Sequence, residues 1–223
     1  MPSQWWSACY DETMKEANFA KSHNVIMGVD LSQRHDLTAT TILIEDGGHF
    51  YCFSRFWIPE ESAELKERKD KVPYTLWQKR KENNLSFCNG KRIQQEEIKE
   101  QIIKDIEFFG VREIRYDPTG AQLLMEQIEA ETGIDVVAVT QSRPSLSPAT
   151  VEIYNLIREK RLHHPNNDLL NWNVNNAISR PDNFNRILVE KGKCLQRVDG
   201  LISLIISYSY FTNYKTDYSG IMC

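Results

Sequence analysis

The chain has 223 residues, 41% of them hydrophobic and 26% charged, with a net charge of −4 at pH 7. That length supports one substantial core, as one large domain or two small ones, and the composition is that of an ordinary globular protein rather than a disordered or fibrous one. The longest apolar run, residues 201–211, is broken by Ser203, Ser207 and Ser209 and falls short of the ~18 apolar residues a membrane span needs, so no membrane association is expected.

The opening residues Met-Pro-Ser-Gln-Trp-Trp lack a basic stretch followed by an apolar one, so no signal peptide is expected. The five cysteines, Cys9, Cys52, Cys88, Cys194 and Cys223, are scattered and form no CxxC pair. Their spacing argues against a zinc site or a disulfide framework and fits a reducing cytosol.

Residues 1–23 are polar and mixed and read as an N-terminal extension or linker, with Trp5, Trp6 and Tyr10 spaced to anchor a short helix. Residues 25–30 form a short apolar run ending in a carboxylate, a buried strand. Residues 38–45 are rich in β-branched types, Asp46-Gly47-Gly48 is a turn signal, and residues 49–56 supply the next strand. The chain thus opens with a three-stranded antiparallel meander.

Residues 60–83 are charged and are divided by Pro73 into two helical pieces; the mixed charges of residues 66–71 and 79–82 read as solvated faces. Ile93, Ile98, Ile102, Ile106 and Phe109 recur at helical spacing until Gly110. A strand over 111–116, a helix over 121–132 and a strand over 134–139 follow. Ser147-Pro148 reads as a cap and first helical position, opening a helix to about residue 160. His163-His164 marks a strand or loop edge, residues 167–180 hold a further helical piece, and 181–196 read as a hairpin. Residues 198–211 form a last apolar helix, and 213–223 are expected to fray. Three antiparallel strands followed by alternating helices and strands give an α/β domain with a mixed sheet flanked by helices, in the ribonuclease H-like order.

Three acidic residues stand where such a sheet can use them. Asp30 ends the first strand, Asp117 follows the strand over 111–116, and Asp199 opens the last helix. Ligands in open α/β sheets gather at the carboxyl edge. If the last helix starts at that edge, the three carboxylates converge. Converging carboxylates repel unless cations lie between them, and hard oxygen ligands select Mg²⁺ or Mn²⁺, two of which can act together on a phosphodiester. Each residue also has a plainer role open to it: a turn former at 30, a helix cap at 117, a complement to the helix dipole at 199. Asp36 is a fourth candidate, as a turn or supporting residue. His163-His164 lacks the spacing of metal ligands on one helical face, and the chain has neither a GxxxxGK phosphate loop nor a GxSxG elbow.

The segments Gly28-Val-Asp30-Leu-Ser, Asp36-Leu-Thr-Ala39, Phe56-Trp57-Ile-Pro59, Val72-Pro-Tyr74-Thr-Leu-Trp77, Tyr116-Asp117-Pro118, Gln141 to Leu146, Leu162-His163-His164-Pro165, Leu170-Asn-Trp172, Asn175-Asn176-Ala177 and Arg197-Val-Asp199-Gly200 together resemble the nuclease domain of tailed-phage terminase large subunits. The likeness covers residues 24–212 in matching order. It implies a ribonuclease H-like, two-metal endonuclease that cuts concatemeric double-stranded viral DNA, with Asp30, Asp117 and Asp199 as metal ligands. Asn176 and Trp172 match family positions read as supporting the site.

The resemblance also implies an ATPase motor domain as partner, together with the portal and the small terminase subunit, and action in the cytoplasm of a bacterial host. The motor half has no counterpart in this sequence, so an excised domain or a truncated prophage copy is expected. A basic groove from Arg180, Arg186, Lys191, Lys193 and Arg197 would meet phosphates, although the family's usual lysine near 191–193 is displaced. The net acidity fits a nuclease delivered to DNA by its motor. Two other functions stay open: a catalytically silent docking module of the packaging motor, and a resolvase or ribonuclease of the same fold.

Overall fold

The computed structural model of the protein describes residues 2–31, 37–184, 186–189 and 197–218, except for the side chains of Arg180 and of residues 213–218. Every residue of β1 (Val25–Asp30) is buried, as a strand covered on both faces requires. β2 (Thr38–Asp46) and β3 (His49–Pro59) extend it antiparallel. They turn through Gly47 and Gly48, whose φ values of 57° and 80° suit a two-residue hairpin that side chains would strain.

Beyond the meander come α2 (Glu60–Asp70) and α3 (Tyr74–Gln78), divided at Pro73 as expected; α1 (Ser3–Ser7) lies in the N-terminal segment. β4 (Leu85–Cys88) runs parallel to β3 and was not anticipated. Four residues are too few for hydrophobic alternation to mark a strand. α4 (Gln95–Phe109), β5 (Val111–Tyr116), α5 (Gln122–Thr132) and β6 (Asp135–Ala138) follow the expected order. β5 lies parallel to β1, and β6 parallel to β5.

α6 (Arg143–Arg158) starts five residues earlier than the Ser147-Pro148 pair suggests. Ser142 is its cap, accepting from the Ser145 amide, and Pro148 lies inside the second turn, where its missing N–H forfeits a single bond near the helix start. β7 (Leu162–His163) pairs parallel with the start of β3. α7 (Asp168–Asn176) is capped by Asn167, whose Oδ1 accepts from Leu170 N at 2.9 Å. β8 (Ser179–Pro181) and β9 (Ile187–Val189) form a hairpin that starts inside the stretch expected to be helical, because α7 stops at Asn176; residues 190–196 of the expected hairpin lie outside the described residues. α8 (Asp199–Tyr218) continues past residue 211, so 213–218 belong to a helix and not to a frayed tail. Residues 219–223 lie outside the described residues.

The sheet order is β4-β3-β2-β1-β5-β6, with β7 on β3, the mixed arrangement the sequence indicated. α6, α7 and α8 close one face over Leu43, Phe50, Phe56 and Ile58. α4 and α5 close the other over Met27, Val29, Ile42 and Ile114. Residues 2–23 are packed onto this body and are not a free linker. Trp6 is buried, stacks on His164 at 3.9 Å, and donates from Nε1 to Asn171 Oδ1 at 2.7 Å. Among the described residues Cys9, Cys52 and Cys88 are buried free thiols, and no helix is long and apolar enough to cross a membrane.

Candidate active site

The strand register fixes where the acidic residues stand. Gly28 of β1 is opposite Thr41 of β2, which is opposite Ser54 of β3; on its other side Gly28 pairs with Arg115 of β5. This row faces α8. Thr41 Oγ1 lies 2.7 Å from Ser203 Oγ and 2.9 Å from Ser54 Oγ, and Arg115 Nη1 donates to Ser209 Oγ at 3.1 Å. A Cβ on Gly28 would overlap the Ser203 carbonyl oxygen and crowd the Ser207 amide, so helix and strand meet backbone to backbone.

Two residues further toward the carboxyl edge, the next row on the same face contains Asp30, Ala39 and Phe56. A Cβ on Gly200 would press on the Phe56 ring, which brings the first turn of α8, with Asp199, over this row. Asp117 follows two residues after Arg115, its amide donating to the Val29 carbonyl at 3.2 Å. Asp30 and Asp117 thus stand at the carboxyl ends of adjacent parallel strands, and Asp199 opens the helix whose first turn packs on Phe56, in the row of Asp30. Asp30 is only 3% exposed, whereas Asp117 and Asp199 are half-buried. Among the described residues no three Asp, Glu, His or Cys side chains are close enough to hold one ion as they stand. Asp36 lies outside these residues.

The surroundings of the three differ. Asp30 Oδ1 accepts from Gln141 Nε2 at 3.0 Å; Gln141 opens one of the segments that carry the resemblance, but no role at the site was assigned to it there. Gln141 follows β6 at the carboxyl edge, where a polar loop residue next to a ligand could have been sought. Asp117 Oδ1 accepts from the Thr119 amide at 3.0 Å and so forms a turn, not the helix cap weighed for it, since α5 is preceded by Ala121 at its cap position.

Asp199 is placed by side chains from three elements. Asn173 Oδ1 takes the Gly200 amide at 2.6 Å, satisfying a donor left open at a helix start. Asn176 Nδ2 donates to the Arg197 carbonyl at 3.0 Å. Arg197 Nε donates to Asp70 Oδ2 at 2.6 Å, and the Tyr74 hydroxyl donates to the same oxygen at 2.9 Å. Burial, and then the adjoining Asp70 carboxylate, hold the Tyr74 hydroxyl well above the usual phenol range, which keeps it a donor.

Two expectations change here. Arg197, read as an open phosphate contact, has a side chain only 10% exposed and faces Asp70. Asp70 and Lys66, read as part of a solvated charged face, are buried. Trp172 packs with Tyr74 and Trp77, ring centroids 5.9 Å from each. Of the other basic candidates, Arg186 is paired with Asp182 on the β8–β9 turn. Lys191, Lys193 and the Arg180 side chain lie outside the description.

A mixed sheet in this order, with a closing helix delivering an acid to the carboxyl edge, is a ribonuclease H-like architecture of the kind found in terminase nucleases. The family model for the terminase large subunit, endonuclease domain, matches residues 6–214, and the chain belongs to that family. It is 25% identical over 195 residues to the terminase large subunit of Enterobacteria phage HK97, covering 86% of this chain and 38% of that protein. The chain thus spans about two fifths of the length of this relative. It is also similar to the crystal structure of the HK97 large terminase, with a TM-score of 0.83 at 23% identity, covering 94% of this chain and 43% of that one. The large terminase nuclease of thermophilic phage G20c with bound magnesium gives a TM-score of 0.55 at 15% identity, covering 85% and 84%. Structures of the G20c nuclease also exist with cobalt and with zinc.

Proposed function

We propose that the chain is the metal-dependent endonuclease domain of a DNA-packaging terminase, cutting concatemeric double-stranded viral DNA in the bacterial cytoplasm. The observation that supports this is the register: within a chain of this family, Asp30 and Asp117 end adjacent parallel strands, and Asp199 opens the helix packed on Phe56 beside them. Their all-oxygen chemistry suits hard divalent cations, and metal binding by the G20c nuclease supports that choice. Asp30, Asp117 and Asp199 would hold two Mg²⁺ or Mn²⁺ ions. When bound, such ions neutralise charge at the scissile phosphate and at the departing oxygen.

The chain's own residues have the remaining tasks. Gln141 orients the Asp30 carboxylate through its amide N–H. Asp199 stands in the first turn of α8, where the helix's free amides and positive dipole end face it. The Arg197–Asp70–Tyr74 contacts and Asn176 hold the segment leading into that helix. DNA is delivered by an ATPase motor domain, with the portal and small terminase subunit as further partners, which accords with a net charge of −4.

The test is plasmid nicking with Mn²⁺, Mg²⁺ or EDTA, on the wild type beside Asp117→Ala. Linearisation that needs metal and disappears in the variant is the expected result. Cutting at the wild-type rate by Asp117→Ala would remove that residue from the site, and cutting in EDTA would end the metal-dependent reading.

A further inference from the structure

Two histidines that take no part in the candidate site meet at the opposite end of the sheet. His49 Nδ1 lies 2.9 Å from His163 Nε2, with the ring planes 25° apart and the centroids separated by 5.1 Å. Nitrogens so placed share one proton, one ring donating and the other accepting. His163-His164 lacks metal-ligand spacing by itself, but the fold gives His163 a partner 114 residues away.

The pair is held by the backbone beneath it. Tyr51 pairs with His163 across β3 and β7, and His49 shares the face of Tyr51, two residues along the strand. The Tyr51 ring lies nearly parallel to that of His163, with centroids 4.9 Å apart. Arg161 Nε and Nη2 donate to the Gly48 carbonyl at 2.9 and 2.6 Å, and the Phe50 amide donates to the Arg161 carbonyl at 2.8 Å. The two segments carrying the rings are thus tied together before any ligand arrives, which lowers the ordering cost of binding one. Burial, and then the His49 ring, lower the proton affinity of His163 and keep its lone pair available; the Asp11 carboxylate pulls the other way, and its negative charge favours a cation here.

We propose that His49 and His163 form a two-imidazole site for one divalent transition-metal cation, Cu²⁺ or Ni²⁺ ahead of Zn²⁺. With metal–nitrogen distances of about 2.0–2.1 Å, two ligand nitrogens stand about 2.9 Å apart at a right angle and about 3.3 Å apart at a tetrahedral one. The observed 2.9 Å matches the right angle, which is the preference of tetragonal ions. His49 is exposed, which leaves its ring room to turn until both lone pairs aim at one ion. The shared proton moves to the other nitrogen of its own ring, so none is released. Among the described residues no third Asp, Glu, His or Cys joins the pair, and water fills the remaining positions. Imidazole nitrogens discriminate against Mg²⁺, which prefers oxygen ligands. Seven residues of β3 separate His49 from Phe56, roughly 23 Å at the usual rise, so this centre and the carboxylates are distinct.

The test titrates Cu²⁺, Ni²⁺ and Zn²⁺ into the whole chain carrying Asp117→Ala, which removes one oxygen ligand of the carboxylate centre, with and without His49→Gln or His163→Gln. The Cu²⁺ electron paramagnetic resonance spectrum should show coupling to two ligand nitrogens, reduced in either glutamine variant. Each variant should weaken Cu²⁺ and Ni²⁺ binding by at least the roughly 10- to 100-fold that losing even an outer partner of a metal ligand costs. Ni²⁺ should raise the melting temperature of the parent and not of the variants, and excess Mg²⁺ should not compete. Unchanged Cu²⁺ affinity in both variants, or a spectrum with oxygen ligands alone, would overturn the site. His49→Gln in the otherwise wild-type chain should leave plasmid cutting with Mg²⁺ unchanged, so this site and the nuclease reading stand or fall separately; a loss of cutting would overturn their independence.

Discussion

Asp30 and Asp117 are held by the sheet, whereas Asp199 is held by side chains. The first two stand on adjacent parallel strands, and the Asp117 amide is bonded to the Val29 carbonyl, so their separation follows from the backbone ladder. Asp199 stands at the head of a helix whose approach is fixed by Asn173, Asn176 and the buried Arg197–Asp70–Tyr74 contacts. A ladder averages over many bonds and tolerates change at any one side chain. A brace of three or four groups does not. The site should therefore be robust on its sheet side and vulnerable on its helix side.

Three substitutions sharpen or break that contrast. Gly28→Ala should have the largest effect, because the added methyl meets the α8 backbone and not a side chain that can turn aside. The loss should go well past the ~1–3 kcal/mol usual for overpacking, since backbone has to move, and past that of the next variant; it is read by thermal melting, and cutting should fail as α8 lifts off the sheet. An unchanged melting curve would mean the helix is free to shift. Asp70→Ala leaves the Arg197 guanidinium buried without its carboxylate, which should cost about 3–5 kcal/mol in denaturant unfolding. If the brace positions Asp199, cutting falls even well below the unfolding transition; a destabilised variant with wild-type cutting would make the brace purely structural. Asn176→Ala removes one bond to the Arg197 carbonyl, for about 1 kcal/mol. It should lower kcat more than it raises KM, and an effect on KM alone would place Asn176 in DNA binding instead.

The same contrast governs what could be read from the sequence. β1, β2, β3 and β5 were legible because local signals mark them: a wholly apolar run, β-branched residues, a Gly-Gly turn. With the strands came the positions of Asp30 and Asp117 at their ends. β4 and β7 were missed or left as an edge, since four- and two-residue strands owe their pairing to neighbours and carry no period of their own. The start of α6 was misplaced because Ser147-Pro148 imitates a cap that Ser142 provides. Asp70 was hidden in a run of charges; its partner Arg197 is 127 residues away, and nothing local distinguishes a buried carboxylate from a solvated one. The Gln141 bond to Asp30 spans 111 residues and is likewise a product of topology.

The contact between Gly28 and the Ser203–Ser207 turn works like a key in a slot. Where two backbones touch, no layer of side chains remains to be compressed, swollen or repacked, and close-packed interiors yield little. The spacing between Asp199 and the sheet-borne carboxylates is then a fixed dimension of the chain, like the width of a gauge block. Heat, pressure or substitutions elsewhere in the core should leave it nearly constant. If Asp30, Asp117 and Asp199 hold ions as proposed, a lineage adapting the site to a larger or smaller ion would have to alter the slot itself, at positions 28, 203 or 207, before any change of ligand could take effect.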